Sequence, residues 1–300
     1  MGNMTGMGAP SQSSSASSRP FCRLGVVGSG IMGAGIAEVA ARSGYEVVVR
    51  SRQASVAKDT ADKLRRSLQG QAAKGRITTD EADASLALVR TTDALDELAD
   101  CDLVIESVVE NLATKKELFA ALDAICGERT LLASNTSTLP VVELAMATRR
   151  PEQVCGIHFF NPAPAMKLVE LVRPITASDE TIAGARAFVA SCGKDCVEVL
   201  DRAGFIVNAL LFPYLNDAVR MWERGTATME DVDTAMRGGC NFPMGPFALL
   251  DLVGLDTSVA ILDALHAEFA DPHYAPVPTL RRYVAAGRLG RKTKRGFYRY

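Results

Sequence analysis

The chain has 300 residues, and 48% of them are hydrophobic, which is enough to bury a large core in one or two domains. Its formal charge of −2 and its pI near 6.0 argue against nucleic acid as the main partner, because neutralising phosphates needs a basic face. No apolar run approaches the ~20 residues needed to cross a bilayer, so we expect a soluble protein without a membrane partner.

The first 20 residues are rich in Gly, Ser and Met, and their only charged side chain is Arg19. Such a segment cannot bury a core and lacks the apolar region of a secretory signal, so we predict a mobile tail over residues 1–20. The cysteines include no C-x-x-C pair, which favours reduced thiols and a cytoplasmic location. They are Cys22, Cys101, Cys126, Cys155, Cys192, Cys196 and Cys240.

The fold is predicted to begin with a short apolar strand, residues 23–28, that runs into the sequence G-S-G-I-M-G. A helix over residues 34–43 and a strand over residues 46–50 complete a βαβ unit, the setting in which a G-x-G-x-x-G turn binds a dinucleotide. An ordinary glycine-rich turn is the alternative. We assign cofactor binding here to Gly28, Gly30, Ile31, Met32 and Gly33.

The end of the second strand predicts which dinucleotide binds. A dinucleotide fingerprint usually has an acid about 20 residues after its glycines, which bonds the ribose 2′-hydroxyl. Here the sequence reads Arg50-Ser51-Arg52. A carboxylate would repel a 2′-phosphate, whereas Ser51 and Arg52 offer it hydrogen bonds and positive charge. We therefore favour NADP(H), with NAD(H) as the alternative if both arginines are merely solvated.

A predicted pair of helices interrupts the alternation of strands and helices. The first helix spans residues 54–74, and the second, shorter helix is predicted to be capped at Thr79 or Asp80. The alternation then resumes with strands and a helix at residues 89–91, 103–106, 114–125 and 131–134. This pattern indicates a parallel sheet whose ligand lies at the strand ends.

Two of these strands end in polar residues, at residues 106–111 and 134–138. In one interpretation the second segment, S-N-T-S-T, only caps a helix that starts at Val141. It also falls at the sheet edge that is predicted to hold the cofactor, so both interpretations remain open.

Residues 156–173 combine ionisable groups with an apolar context. His158, one of three histidines, lies at the end of a predicted buried strand. Glu170 lies in a second apolar run, and a buried carboxylate needs a partner, for which His158 is the economical choice. A histidine held by a carboxylate suits acid–base catalysis near neutral pH. The alternative is a structural histidine, with Glu170 paired to Lys167 or Arg173.

After residue 201 the strand signal fades, and helices are predicted at residues 205–222, 229–236, 247–269 and 279–285. We therefore predict an α/β Rossmann-like N-terminal domain with a helical insertion over residues 21–202, followed by an all-α C-terminal domain over residues 203–300. Asn208 lies in the first turns of the first helix, where its side chain can face the cleft. The apolar stretch 247–265 favours a homodimer through this domain.

An ordered set of motifs resembles the L-3-hydroxyacyl-CoA dehydrogenase family and, in length, its stand-alone 3-hydroxybutyryl-CoA type. The resemblance covers residues 21–300. The motifs are G-x-G-x-M-G from Gly28, V-x-E-N-L-x-x-K from Val108, S-N-T-S from Ser134, H-F-F-N-P from His158, V-E-L-V from Val169, G-F-x-V-N from Gly204, P-M-G-P-F from Pro243, D-x-V-G-L-D from Asp251 and G-F-Y-x-Y from Gly296.

The resemblance implies a role for each matching residue, together with an acyl-CoA substrate and a homodimer. We expect no metal, because the cysteine and histidine positions offer no metal-ligand spacing. It makes His158 the acid–base, Glu170 its partner, and Ser137 and Asn208 the residues that hold the C3 oxygen of the substrate. Further implied roles are support of the turn for Asn161, cofactor contacts for Glu110, Lys115 and Asn135, and coenzyme A contacts for Ser67 and Lys74. The family pattern leads one to expect an acid at Ser51, so its usual preference for NAD conflicts with the charge argument.

Two alternatives compete with this function. The first is a β-hydroxyacid dehydrogenase of similar architecture that acts on a free acid. Such enzymes generally use a catalytic lysine in the second domain, and residues 204–222 contain none. The second is a structural or binding relative that has lost turnover. Retention of the four predicted catalytic groups, His158, Glu170, Ser137 and Asn208, argues against it.

Overall fold

The structure is a computed structural model that describes residues 20–300. The tail predicted for residues 1–20 therefore lies outside the described residues, apart from Pro20. Within them the strands are β1 Arg23–Val27, β2 Glu46–Arg50, β3 Val89–Thr92, β4 Leu103–Glu106, β5 Leu131–Ser134, β6 Val154–Phe159, β7 Leu168–Arg173 and β8 Asp195–Leu200.

Helices alternate with strands as far as β8, and the helices α7 to α11 come after the last strand. They are α1 Ile31–Arg42, α2 Ala54–Ala73, α3 Thr79–Ala87, α4 Leu112–Ile125, α5 Val141–Ala145, α6 Asp179–Ser191, α7 Val207–Glu223, α8 Met229–Cys240, α9 Pro246–Val253, α10 Leu255–Phe269 and α11 Pro278–Ala285. This confirms the predicted fold class: a Rossmann-like sheet domain with an α2–α3 insertion and a helical domain after it.

Within the described residues the strands form one eight-stranded sheet in the order β3-β2-β1-β4-β5-β6-β7-β8. The predicted parallel sheet is confirmed from β1 to β6, but β7 pairs antiparallel to β6, and β8 is parallel to β7. The reason is the short connection between β6 and β7, residues 160–167. A parallel pair needs a crossover of a dozen or more residues, which this loop cannot supply.

Helices cover both faces of the sheet, which explains why its strands are almost continuously apolar. On one face, Ile36 of α1 and Phe188 of α6 pack with the strand residues Val26 and Ile105. On the other face α4 packs through Phe119, and α5 adds Val141 and Leu144.

The second helix of the insertion begins one residue earlier than predicted. Thr78 caps α3, rather than Thr79 or Asp80: its hydroxyl accepts a hydrogen bond from the Glu81 amide at 3.1 Å, while the Glu81 carboxylate accepts one from the Thr78 amide at 2.7 Å. This reciprocal arrangement requires a Glu or Gln three residues after the cap, which Thr78 has in Glu81, whereas Thr79 and Asp80 are followed there by Ala82 and Asp83.

The single helix predicted over residues 247–269 is two helices, α9 and α10, separated by Gly254. Gly254 has φ of +104°, a conformation that L side chains rarely adopt. The helices of this domain pack around a separate core that includes Phe212, Phe247 and Leu262. Within residues 20–300, no helix is both long and apolar enough to span a membrane.

Candidate active site

A cavity of about 820 Å³ lies at the carboxyl ends of the parallel strands, between the sheet and α10. Residues from the ends of β1, β2, β4 and β5 line one side, and residues Asp256, Thr257, Ala260 and Ile261 of α10 line the other. Ligands of open α/β sheets bind at this edge. The cavity therefore occupies the predicted cofactor position and is completed by the helical domain.

The glycine-rich turn lines this cavity, and the close packing around it explains why two of its positions must be glycine. A Cβ at Gly28 would lie 2.2 Å from the main-chain oxygen of Ser107, and one at Gly33 would lie 1.9 Å from that of Gly28. Gly30, in contrast, has open space where a Cβ would point. The turn leads directly into α1, whose first residues, Ile31 and Met32, also line the cavity. Free amides at a helix N-terminus beside open space fit the diphosphate of a dinucleotide.

Beside this turn, the end of β2 supplies an unpaired polar group. Ser51 is 2% exposed and lines the cavity, and its hydroxyl has no hydrogen-bond partner among the described residues. Buried polar groups rarely remain unpaired in proteins, so this hydroxyl suggests a ligand contact. Arg50 and Arg52 both line the cavity.

A buried charge cluster joins β4 to α4 at the same edge. The Lys115 ammonium, 1% exposed, lies 2.9 Å from Oε1 of Glu106 and 3.0 Å from Oε2 of Glu110. Glu106 also accepts hydrogen bonds from the Ser134 hydroxyl at 2.7 Å and the Val108 amide at 2.6 Å. The sequence singled out Glu106 only as a polar strand end, yet its carboxylate organises this cluster.

Glu110 connects the charge cluster to the loop after β5. Its Oε1 accepts hydrogen bonds from the Thr136 hydroxyl at 2.5 Å and from the Ser137 amide at 2.9 Å. Burial disfavours ionisation of Glu110, but Lys115 and these hydrogen bonds outweigh that effect and hold its pKa below the ordinary value. The carboxylate therefore stays ionised at neutral pH and fixes the loop that carries Ser137.

The polar segment 134–138 does not cap α5. The first amides of that helix, those of Val141 and Val142, donate to Asp201 at 2.9 and 2.7 Å. Asn135 instead accepts a hydrogen bond from the Phe159 amide at 2.8 Å. The segment thus ties β5 to its neighbours at the cavity edge. Asp201 could not be found from local sequence, because the helix that it caps lies about 60 residues earlier.

His158 and Glu170 face each other directly across the antiparallel pair β6–β7. Nδ1 of His158 lies 2.8 Å from Oε2 of Glu170, and Nε2 lies 3.1 Å from the Ser137 hydroxyl. Both members of the pair are buried, at 4% and 1% exposure. An ionised carboxylate can only accept, so Nδ1 donates to it and Nε2 of the neutral ring is free to accept. This is the predicted pairing.

The second oxygen of Glu170 reaches the helical domain. Its Oε1 accepts hydrogen bonds from the amides of Ile206 and Val207 at 3.1 and 3.0 Å, at the N-terminus of α7. The positive end of a helix stabilises a carboxylate at this position. Asn208 is the next residue of α7 and is buried. The alternative partner Arg173 binds Glu198 and Asp179 instead, at 2.6 and 2.8 Å.

Seven of the predicted site residues do not line the cavity: His158, Glu170, Asn208, Gly33, Asn161, Ser67 and Lys74. Asn161 is exposed in the turn after β6. Ser67 and Lys74 lie seven positions apart on and after α2, which places them on one side of that segment. The Ser67 hydroxyl donates to the Glu38 carboxylate at 2.6 Å. Within residues 20–300, no three or more His, Cys, Asp or Glu side chains group together in a way that could hold a metal ion.

Comparisons with known proteins show the family of this chain. Residues 23–202 match the family model of the 3-hydroxyacyl-CoA dehydrogenase NAD binding domain, and residues 204–300 match that of the C-terminal domain. The chain is 48% identical over 280 residues to a 3-hydroxybutyryl-CoA dehydrogenase of Mycobacterium tuberculosis, an alignment that covers 93% of this chain and 98% of the relative.

Two crystal structures are also similar to this chain. One is that of FadB2 from Mycobacterium tuberculosis, with a TM-score of 0.92 and 48% identity over 93% of this chain and 99% of that one. The other is that of the (S)-3-hydroxybutyryl-CoA dehydrogenase PaaH1 from Ralstonia eutropha, with a TM-score of 0.91 and 40% identity over the same shares.

The charge cluster gives a stability prediction with a control in the adjacent residue. Lys115→Met leaves Glu106 buried without its cation, so we expect a loss of about 3–5 kcal/mol in the free energy of unfolding. Lys116→Met removes a half-exposed ion pair with Glu143 and should cost less than about 1 kcal/mol. Chemical denaturation of both variants measures the difference. Equal losses would mean that the buried cluster does not stabilise the fold.

Proposed function

Because the chain belongs to the 3-hydroxyacyl-CoA dehydrogenase family, we propose that it interconverts 3-hydroxyacyl-CoA and 3-oxoacyl-CoA, with 3-hydroxybutyryl-CoA as its substrate. The main support is the buried His158–Glu170 pair, which holds Nε2 within 3.1 Å of the Ser137 hydroxyl at the edge of a dinucleotide cavity. A proton acceptor, an oxygen-binding group and a cofactor site are thereby brought together, as oxidation of a secondary alcohol requires.

His158 is the proposed general base for oxidation. Nε2 takes the proton of the C3 hydroxyl, and the positive charge that forms on the ring is stabilised by Glu170 through Nδ1. The amides at the N-terminus of α7 hold Glu170 in turn. A bound nicotinamide dinucleotide supplies the hydride acceptor or donor. In the reverse direction the protonated imidazole gives the proton back to the C3 oxygen.

Ser137 and Asn208 are the proposed ligands of the C3 oxygen, in line with their places beside His158 and at the start of α7. Orientation of this oxygen contributes to catalysis because it fixes the reacting groups before the chemical step. Asn161 is proposed to support the turn that follows β6. The cofactor contacts proposed for Glu110, Lys115 and Asn135 agree with their positions in the cavity wall.

Coenzyme A is proposed to bind along α2, where Ser67 and Lys74 share one side. The exposed Lys74 offers positive charge to phosphate groups. Ser67 already donates its hydrogen to Glu38, so it is left to act toward the ligand as an acceptor. The free-acid alternative lacks support, since α7 contains no lysine, and the intact pair disfavours a non-catalytic relative.

We further propose a cytoplasmic homodimer. Free thiols at all seven cysteine positions, which lie within the described residues, fit a reducing compartment. The helical domain exposes several large apolar side chains that a partner would cover. They are Leu210, Met221, Phe242, Leu252 and Phe269.

NADP(H) is the proposed cofactor, in contrast to the NAD for which the matching family model is named. The support comes from the end of β2, where the unpaired hydroxyl of Ser51 lies between Arg50 and Arg52 in the cavity wall. Arg50 donates from Nε to the main-chain oxygen of Asp93 at 3.2 Å, which leaves Arg52 as the freer guanidinium. No carboxylate stands at this position to repel a 2′-phosphate.

The proposed activity is tested with acetoacetyl-CoA and each reduced nicotinamide cofactor, followed by the loss of cofactor absorbance. The wild type should turn over, and His158→Gln should lower kcat by about 10²-fold or more, because acid–base catalysis contributes on that scale. His266→Gln, an exposed histidine of α10, is the matched control and should keep full activity. Absence of turnover with both cofactors would contradict the proposed function.

Cofactor preference is tested by the double variant Ser51→Asp, Arg52→Ile. The wild type should favour NADPH in kcat/KM by about 10- to 150-fold, the effect of one charge-assisted bond worth roughly 1.5–3 kcal/mol. The variant should favour NADH, because repulsion is added and attraction removed. Arg129→Ile, which changes an exposed arginine outside the cavity wall, should leave the preference unchanged. A wild type that favours NADH would refute the charge argument.

A further inference from the structure

The loop between β6 and β7, residues 160–167, joins the two strands that carry His158 and Glu170. We propose that Lys194, at the start of β8, is a positioning residue that clamps this hairpin loop and so keeps the His158–Glu170 pair in place against the cofactor helix α1. This role rests on the proposed function, in which His158 is the catalytic acid–base.

The Lys194 ammonium donates to three main-chain oxygens of the hairpin loop. They belong to Ala163 and Met166, both at 2.7 Å, and to Pro164 at 3.4 Å. The next amide along the chain, that of Asp195, donates to the main-chain oxygen of Lys167 at 2.8 Å. One ammonium has three protons to donate, and here all of them are directed to a single loop.

The hairpin loop also packs on α1, the helix that starts at the cofactor cavity. Ala163 is 2% exposed. A Cβ added at Gly35 would lie 3.2 Å from the Ala163 Cβ and 3.3 Å from the Pro164 Cδ, so the loop packs almost directly on the helix backbone. The loop thus contacts both Lys194 and the cofactor helix, which links the position of the cofactor to that of the catalytic pair.

The geometry of the strands explains why this clamp affects catalysis. His158 and Glu170 form the second residue pair from the loop, after Phe159 and Val169. Glu170 is also held by hydrogen bonds from the α7 amides. The position of His158 depends more on β6 and on the loop that follows it. A looser loop therefore lengthens the His158–Glu170 contact before it disturbs the rest of the sheet.

The charged groups around Lys194 allow positioning to be distinguished from electrostatics. Glu38 and Arg42 of α1 and the Cys192 thiol face it, and burial lowers the pKa of its ammonium. Loss of the lysine charge alone would favour the protonated form of His158 and move its titration to higher pH. A lengthened contact with Glu170 would do the opposite, because the ring would lose the carboxylate that stabilises its charge. The direction of the shift therefore separates the two effects.

The test compares Lys194→Met, which removes the donors, with Lys194→Arg, which keeps the charge and several donors. We expect Lys194→Met to lower kcat roughly tenfold, as expected for a small misplacement of a catalytic group. The KM for the cofactor should change little, and the titration of His158, followed by NMR, should move to lower pH. Lys194→Arg should restore part of the rate. Lys116→Met, which removes a lysine far from the loop, should match the wild type.

Gly35→Ala provides an independent variant, because its new methyl group pushes the hairpin loop from the α1 side. It should shift the His158 titration in the same direction as Lys194→Met. A titration that stays in place or moves to higher pH in a folded Lys194→Met protein would overturn the proposal, as would a lower melting temperature with an unchanged kcat. The NMR measurement needs no turnover, so an inactive wild type would count against the proposed function alone.

Discussion

The structure depends most on how one buried carboxylate is neutralised. Glu170 lies in an almost fully buried strand, where an unpaired charge would cost several kcal/mol. One of its oxygens binds His158, and the other binds two amides at the start of α7. The same side chain therefore orients the imidazole and joins the sheet domain to the helical domain. A single carboxylate thus contacts both the imidazole and the helical domain.

A second buried cluster supports the other side of the His158 imidazole. Lys115 lies between Glu106 and Glu110, and Glu110 in turn fixes the Ser137 amide. The Ser137 hydroxyl then meets Nε2 of His158. Glu170 therefore contacts Nδ1 of the imidazole, and the Lys115 cluster reaches Nε2 through Ser137. Since each charged group has a fixed partner, little reorganisation is needed when the ring gains a proton.

The sequence predicted the features that depend on local pattern. Apolar runs located β2, β4 and β5 to the residue, and the glycine spacing identified the cofactor turn, because these signals lie within a few positions. It did not predict the reversed direction of β7, the break at Gly254, the Asp201 cap or the Lys194 clamp. These depend on loop length, on one dihedral angle or on residues about 30 to 60 positions apart. Such contacts become visible only when the chain is folded.

The central claim is that Glu170 stabilises the charge that His158 gains during the reaction. The most direct measurement is the pH profile of kcat for Glu170→Gln in the direction of oxidation, with Glu143→Gln as a control for an exposed carboxylate. The account predicts a lower kcat and an acidic limb that moves to lower pH, because the neutral amide no longer favours the protonated ring. An acidic limb that coincides with that of the wild type would contradict it.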